Sequence, residues 1–124
     1  MDRVALIFLA GGLGALARYG LADLVNRGTP GGFPWGILVV NAVGCLIFGL
    51  VYSLVEDRGY FSPEVRIIVL VGFAGAFTTF STFAFDTTQL ARAGEWAYVI
   101  GNVIANNAIG ITMVAAGFAL ARVP

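Results

Sequence analysis

The chain has 124 residues, of which 59% are hydrophobic and 11% charged, and its mean hydropathy is +0.89. A soluble domain carries about 25% charged residues, so this composition excludes one and names lipid as the natural solvent. Seven basic residues, all arginine, balance seven acids and histidine is absent, which removes a basic nucleic-acid surface, a Ser-His-Asp triad and a histidine metal site.

The length allows a single transmembrane domain over residues 1–124,. A bilayer core about 30 Å thick needs about 20 apolar residues in helix, and four segments supply them, at approximately 4–25, 35–55, 63–91 and 96–121. The first runs from Val4 to Val25 and ends at the breaker cluster Gly28-Thr29-Pro30-Gly31-Gly32,. Within it, Ala15-Leu16-Ala17 after Arg3 has the look of a leader cleavage site, but Gly11, Gly12 and Gly14 interrupt the apolar run and no cleavage is expected. The second segment runs from Trp35 to Val55 and stops at Glu56-Asp57-Arg58-Gly59. Its single cysteine, Cys45, has no partner in the chain and reads as a small inert hydrophobe,. Ser62-Pro63-Glu64 then reads as an N-cap, a first-turn proline and a favourable acid,. The third segment reaches Ala91, and the turn Arg92-Ala93-Gly94-Glu95 leads into the fourth, Trp96 to Ala121. Trp35, Tyr60, Trp96 and Tyr98 fall near segment ends, where interfacial aromatics belong,. No run of about 10 alternating residues supports a barrel, so an all-α integral membrane protein is expected, since helices satisfy their own backbone in lipid.

An even number of spans puts both termini on one side. Arg3, Arg58, Arg66 and Arg122 then share that side, while Arg27 and Arg92 lie opposite with Arg18 embedded nearby. Loop arginines orient a chain, and this bias is weak enough that insertion in both orientations, and hence an antiparallel dual-topology homodimer, is expected. Four helices of this length enclose little, so oligomerisation is the default for any transport role.

The informative residues are the polar ones inside apolar spans. The centre of the third segment, Gly72-Phe73-Ala74-Gly75-Ala76-Phe77-Thr78-Thr79-Phe80-Ser81-Thr82-Phe83, sets glycines before hydroxyls interleaved with phenylalanines. Two readings are open. In an ordinary helix the hydroxyls bond back to carbonyls four residues earlier and the glycines permit close packing. In a helix broken near its centre, freed carbonyls meet a cation, water or neighbouring protein. Phe77, Phe80 and Phe83 recur every three residues along one slanting face,. Such a stripe is ordinarily core, yet ring edges are electropositive and, beside hydroxyl donors, suit a small anion. Asn41 is the strongly polar residue of the second span, and Asn102 and Asn106, four apart, share a face of the fourth beside Asn107,. Their amides either bond across helices or line a polar path. Arg18 inside the first span implies a water-filled cavity, an anion path or snorkelling, with Asp23 as a partner or in water. Gly12-Leu13-Gly14-Ala15-Leu16-Ala17 fits a dinucleotide fingerprint in form only, because no strand precedes it. Its small residues instead let helices approach.

Three stretches, Gly11-Gly12-Leu13-Gly14-Ala15-Leu16-Ala17-Arg18-Tyr19, Val40-Asn41-Ala42-Val43-Gly44 and Gly75-Ala76-Phe77-Thr78-Thr79-Phe80-Ser81-Thr82-Phe83, resemble the signature stretches of the Fluc/CrcB fluoride channels. The likeness covers essentially the whole chain, and the third stretch is the specific one. It implies a fluoride-selective channel that exports fluoride passively, built as an antiparallel dual-topology homodimer with a pair of pores and a third helix broken near its middle. It implies that the backbone carbonyls of Gly75 and Thr78 of both copies bind one central structural Na+, which is not transported. Phe80 and Phe83 become the aromatic box of each pore, Asn41 its asparagine, and Ser81 and Thr82 part of its hydroxyl track. Arg18 matches a vestibule arginine. The fourth helix departs from the family, which often has a hydroxyl residue where Asn106 is placed in the pore. Fluoride, the bilayer and a second copy are the implied partners, and a bacterial inner membrane the expected location.

The competing readings are a small proton-coupled exporter of cationic drugs and a non-transporting assembly subunit. An exporter needs a membrane-embedded carboxylate, whereas Asp23 and Asp86 sit toward span ends. No enzyme is expected, because no nucleophile–base pair or metal cluster is visible.

Overall fold

The computed structural model describes residues 2–123. Four of its helices are long and apolar enough to cross a membrane, and no strand occurs among the described residues. Helix α1 spans Arg3–Gly28 and α2 spans Trp35–Glu56. The third span, Pro63–Arg92, is composite. It opens with α3 (Pro63–Arg66), widens into π-helical turns over Ile67–Ala74 and closes with α4 (Gly75–Phe77). After an interruption it resumes as α5 (Phe80–Arg92). Helix α6 covers Trp96–Leu120.

Local chemistry explains most boundaries. Helix α1 runs three residues past the expected Val25, and Thr29 Oγ1 caps it by donating to the Val25 carbonyl at 3.0 Å. The hairpin back into α2 is held by Asn26, whose Oδ1 accepts the Gly36 N–H at 2.9 Å. A Cβ at Gly36 would sit 2.7 Å from the Ala22 carbonyl oxygen, so the absence of a side chain lets these helices meet. Gly59 and Gly94, with φ of +64° and +76°, take the left-handed conformation that reverses the chain after α2 and α5,. Pro63 and Glu64 occupy the first turn of α3 as expected, but the Ser62 side chain makes no capping bond. The π-helical turns have no counterpart in the sequence pattern. Their geometry shows in the Gly75 N–H, which reaches back to the Leu70 carbonyl, five residues earlier,.

Helices α2 and α6 make the most extensive packed pair, and α1 lies against the first half of the third span. Glycine sets both approaches. A Cβ on Gly14 would overlap the Phe73 carbonyl, and one on Gly49 the backbone of Val114. The small residues of the first signature stretch thus do let helices approach, although Gly12 faces open space.

Polar ties mark the two ends. At one end Arg3 pairs with Glu64 at 3.0 Å, Arg66 pairs with Glu56, and Arg58 donates to the Ala121 carbonyl at 3.1 Å and the Arg122 carbonyl at 2.5 Å. That end therefore gathers Arg3, Arg58, Arg66 and Arg122, as the alternation of spans predicts. At the other, Phe33 packs on Trp35 and Tyr98 with ring centroids 4.6 and 5.9 Å apart, an aromatic cluster suited to a membrane interface. Little of the apolar surface is hidden in the single chain. Gly14 is the buried residue of α1, while Phe8, Leu9, Leu13, Leu16 and Leu24 are exposed, as expected of a surface that meets lipid or a partner helix.

Candidate functional site

The interruption of the third span lies at Thr78 and Thr79, whose backbones are extended (φ −78°, ψ 156° and φ −149°, ψ 111°). Of the two readings open for this segment, the broken helix is the one observed. Thr78 keeps the bond an unbroken helix would give it, its N–H donating to the Ala74 carbonyl at 3.0 Å, and its hydroxyl donates to the same oxygen at 2.9 Å. Thr79 starts the next helix. Its Oγ1 accepts the Thr82 N–H at 3.1 Å and its hydroxyl donates to Thr82 Oγ1 at 2.9 Å, which makes it an N-cap in mid-span. Ser81 Oγ lies 3.3 Å from Thr79 Oγ1.

A break leaves backbone groups unpaired on both sides. Among the described residues, the Thr79 N–H donates to Asn41 Oδ1 in place of the Gly75 carbonyl, and the Thr82 N–H to Thr79 Oγ1 in place of the Thr78 carbonyl. The Gly75 and Thr78 carbonyls lie at the partially negative end of one half-helix, and the first turn of α5 at the partially positive end of the next,. Gly75 is exposed on the surface of the chain. Carbonyls of this kind are neutral oxygen donors that fit a hard cation such as sodium. No cluster of three or more His, Cys, Asp or Glu residues occurs among the described residues.

Asn41 holds the break from α2. Its Oδ1 accepts the Thr79 N–H at 2.9 Å, and its Nδ2 donates to the Thr79 carbonyl at 3.3 Å and to Asn106 Oδ1 at 3.1 Å. One carboxamide thus replaces both helical partners of the extended residue. Asn106 Nδ2 in turn donates to the Asn102 carbonyl at 3.1 Å and its Oδ1 at 2.8 Å. The amide hydrogens expected to face an ion path are here directed at protein acceptors. Three residues further along α2, Gly44 permits the contact. A Cβ there would overlap the Thr78 methyl group and lie 3.2 Å from the Phe77 ring.

The predicted residues gather only in part. Asn41, Phe80, Phe83 and Asn106 line one groove of about 320 Å³, together with Thr78, Thr79, Cys45, Phe48, Asn107 and Val114. Phe80 and Phe83 face each other at 5.6 Å between centroids, tilted by 52°, and Phe80 is 79% exposed. Phe77 leaves the expected stripe. The two extended residues rotate the chain, so Phe77 is 3% exposed and stacks on Phe73 with centroids 5.6 Å apart. Thr82 faces elsewhere, lining a cavity of about 400 Å³ with Arg18, Tyr19, Asp23 and Asn26. Arg18 is half-buried there, and Asp23 pairs not with it but with Arg27, at 2.6 Å, because an i,i+4 spacing places those side chains on one helix face. Beyond it, Asp86 and Gln89 line a further cavity of about 470 Å³ under the loop from Thr29 to Pro34. Reasoning from sequence treated Thr79 only as one hydroxyl of a run, and missed Thr87 altogether. A threonine before Thr82 at N-cap spacing was the available signal for Thr79.

The chain is similar to known proteins. The family described as "CrcB-like protein, Camphor Resistance (CrcB)" matches residues 5–118. A protein of Nitrosococcus oceani named "Fluoride-specific ion channel FluC" is 45% identical over 98% of this chain and 98% of its own length. One of the same name from Nitratidesulfovibrio vulgaris is 52% identical over 77% of each chain. A third, from Desulforapulum autotrophicum, is 49% identical over 94% of this chain and 93% of its own.

Proposed function

The chain belongs to the CrcB-like family, and on that footing we propose that it is a fluoride-selective channel through which fluoride leaves the cell passively, relieving fluoride toxicity. It is a multi-pass protein of the bacterial inner membrane, and its role is that of an ion channel and not of an enzyme.

The observation that carries the reading is the break. A helix that stops and restarts in mid-span offers carbonyls at one end and amides at the other. The amide end opens at Phe80, on the groove that Phe80, Phe83, Asn41 and Asn106 line. There, the positive end of α5 and the ring edges favour a small anion without a fixed cation, so that binding is weak enough to release it. Ser81 and Thr82 extend the path as a hydroxyl track, and Arg18 draws anions into the vestibule beside Thr82. The carbonyls of Gly75 and Thr78, donated by two copies, hold a structural Na+ that is not transported. The ion supplies the positive charge that unpaired carbonyls otherwise lack in lipid. A groove open on the side of one chain needs a second wall, and an antiparallel, dual-topology homodimer supplies it. The near balance of Arg3, Arg58, Arg66 and Arg122 against Arg18, Arg27 and Arg92 permits insertion both ways,.

The test is anion efflux from liposomes containing the purified protein. Rapid fluoride efflux with little chloride efflux is expected, and it slows when sodium on both sides is replaced by a large organic cation. A folded dimer that passes no fluoride overturns the reading and returns the exporter and assembly alternatives.

A further inference from the structure

Helix α5 presents a packing problem. It has no buried residue and leans only lightly on α6 and α2, yet it carries Phe80 and Phe83, whose placement defines the groove. Apolar burial therefore does not hold it. Part-buried hydrogen bonds remain, and they form one continuous series.

The series begins at the Thr79 N–H and passes through Asn41 and Asn106 to Asn102, which is 1% exposed. Asn102 Nδ2 donates to Thr87 Oγ1 at 2.9 Å, and the Thr87 hydroxyl donates to the Phe83 carbonyl at 2.7 Å. Carboxamide oxygens and nitrogens are assigned from their partners, and here both ends dictate the assignment. A backbone N–H can only donate, so Asn41 must present its oxygen to Thr79 and its nitrogen to Asn106. Asn106 must then present oxygen to Asn41 and nitrogen to Asn102. Asn102 must present oxygen to Asn106, leaving its nitrogen for Thr87. The Thr87 hydroxyl therefore accepts from Asn102, and its proton has a single backbone acceptor at Phe83. Each member has one orientation consistent with all the others, and the direction runs from the break to the turn that bears Phe83.

We propose that Asn102 and Thr87 are positioning residues, which through this directed series fix the carboxamide of Asn41 on Thr79 and the turn of α5 that carries Phe83. The inference rests on the channel reading for its functional consequence and not for its structural one. Losing the Thr87 hydroxyl removes the acceptor of a buried amide and forces Asn102 to turn. A turned Asn102 gives up its side-chain bond to Asn106, and that loss is passed along the series to Asn41 on Thr79.

The test compares Thr87→Val, which keeps shape and removes the hydroxyl, with Thr87→Ser, which keeps the hydroxyl. Asn102→Ala is the second site. Residue-resolved amide exchange in detergent and fluoride efflux from liposomes are measured on the same preparations. In Thr87→Val the Thr79 amide should exchange about tenfold faster, the scale of one unsatisfied buried donor. Amides of α6 should keep their rates, and fluoride efflux should fall by a similar factor. Thr87→Ser should restore both. Unchanged Thr79 exchange in Thr87→Val and Asn102→Ala overturns the proposal, as does a loss that Thr87→Ser fails to restore. If the unmodified protein passes no fluoride, the channel reading falls, while the exchange result still decides the positioning role.

Discussion

The two halves of the third span are held by different forces. The first half, up to Phe77, is apolar and packed: Leu70, Gly72, Ala74 and Phe77 are buried, and Gly72 and Gly14 bring its backbone against α1. The second half, from Phe80, buries nothing and is tied through Thr79 and Thr87 to Asn41 and Asn102. Lipid tails are as apolar as leucine side chains, so greasy contact gives helices little reason to associate in a bilayer. Close glycine-mediated packing and hydrogen bonds do that work instead, and this span uses one in each half. The packed half is held by contact, whereas the bonded half presents a bare groove while its hydrogen bonds hold it in place.

Substitutions that strike one half and spare the other sharpen this contrast. The largest effect should come from Gly44→Val, which drives a branched side chain into Thr78 and Phe77, where the halves join. A cost on the order of 3 kcal/mol is expected from overpacking at a backbone contact, read as loss of monodisperse protein in detergent. Recovery of a normal yield and melting temperature would show that the helices have room there. Asn41→Asp comes next. It keeps the shape but sets a carboxylate oxygen against two acceptors, the Thr79 carbonyl and Asn106 Oδ1. Losing these bonds should cost about 2 kcal/mol, and the added charge should abolish fluoride efflux. Efflux equal to the unmodified protein would remove Asn41 from the path. Phe80→Ile touches only the exposed ring, so stability should change by less than about 0.5 kcal/mol. Fluoride efflux should nevertheless fall severalfold in protein of unchanged elution volume, and an unaltered rate would detach the ring from the pathway. The smallest effect belongs to Arg3→Gln. An exposed pair such as Arg3 with Glu64 contributes at most about 1 kcal/mol, so melting should barely move while the orientation bias shifts slightly. A large drop in melting temperature would mean that this end of the packed half depends on charge.

The span limits were readable to within about three residues, the usual scatter of helix ends, because hydrophobic length and breakers such as Pro30 and Gly31 act locally. The break was readable as one of two options, since Gly75 and the hydroxyl run weaken a helix without compelling it to open. The position of Phe77 was not. Periodicity assigns it to the stripe of Phe80 and Phe83, and only the extended backbone of Thr78 and Thr79 turns it into the core. Likewise the sequence offered Asp23 either Arg18 or water, and the structure pairs it instead with Arg27 at helical spacing.

What the chain determines by itself is therefore a membrane protein of four spans, with an unstable centre in the third and an unusual store of carboxamides. These follow from composition and from interactions between near neighbours. Which acceptor each carboxamide finds was decided only by tertiary structure. Asn41 meets Thr79 across 38 positions and Asn106 across 65, and such partners exist only once α2, α5 and α6 lie side by side. In lipid, where no water competes, an amide hydrogen must find a protein acceptor or an ion, so the assembled fold decides which of the two it meets.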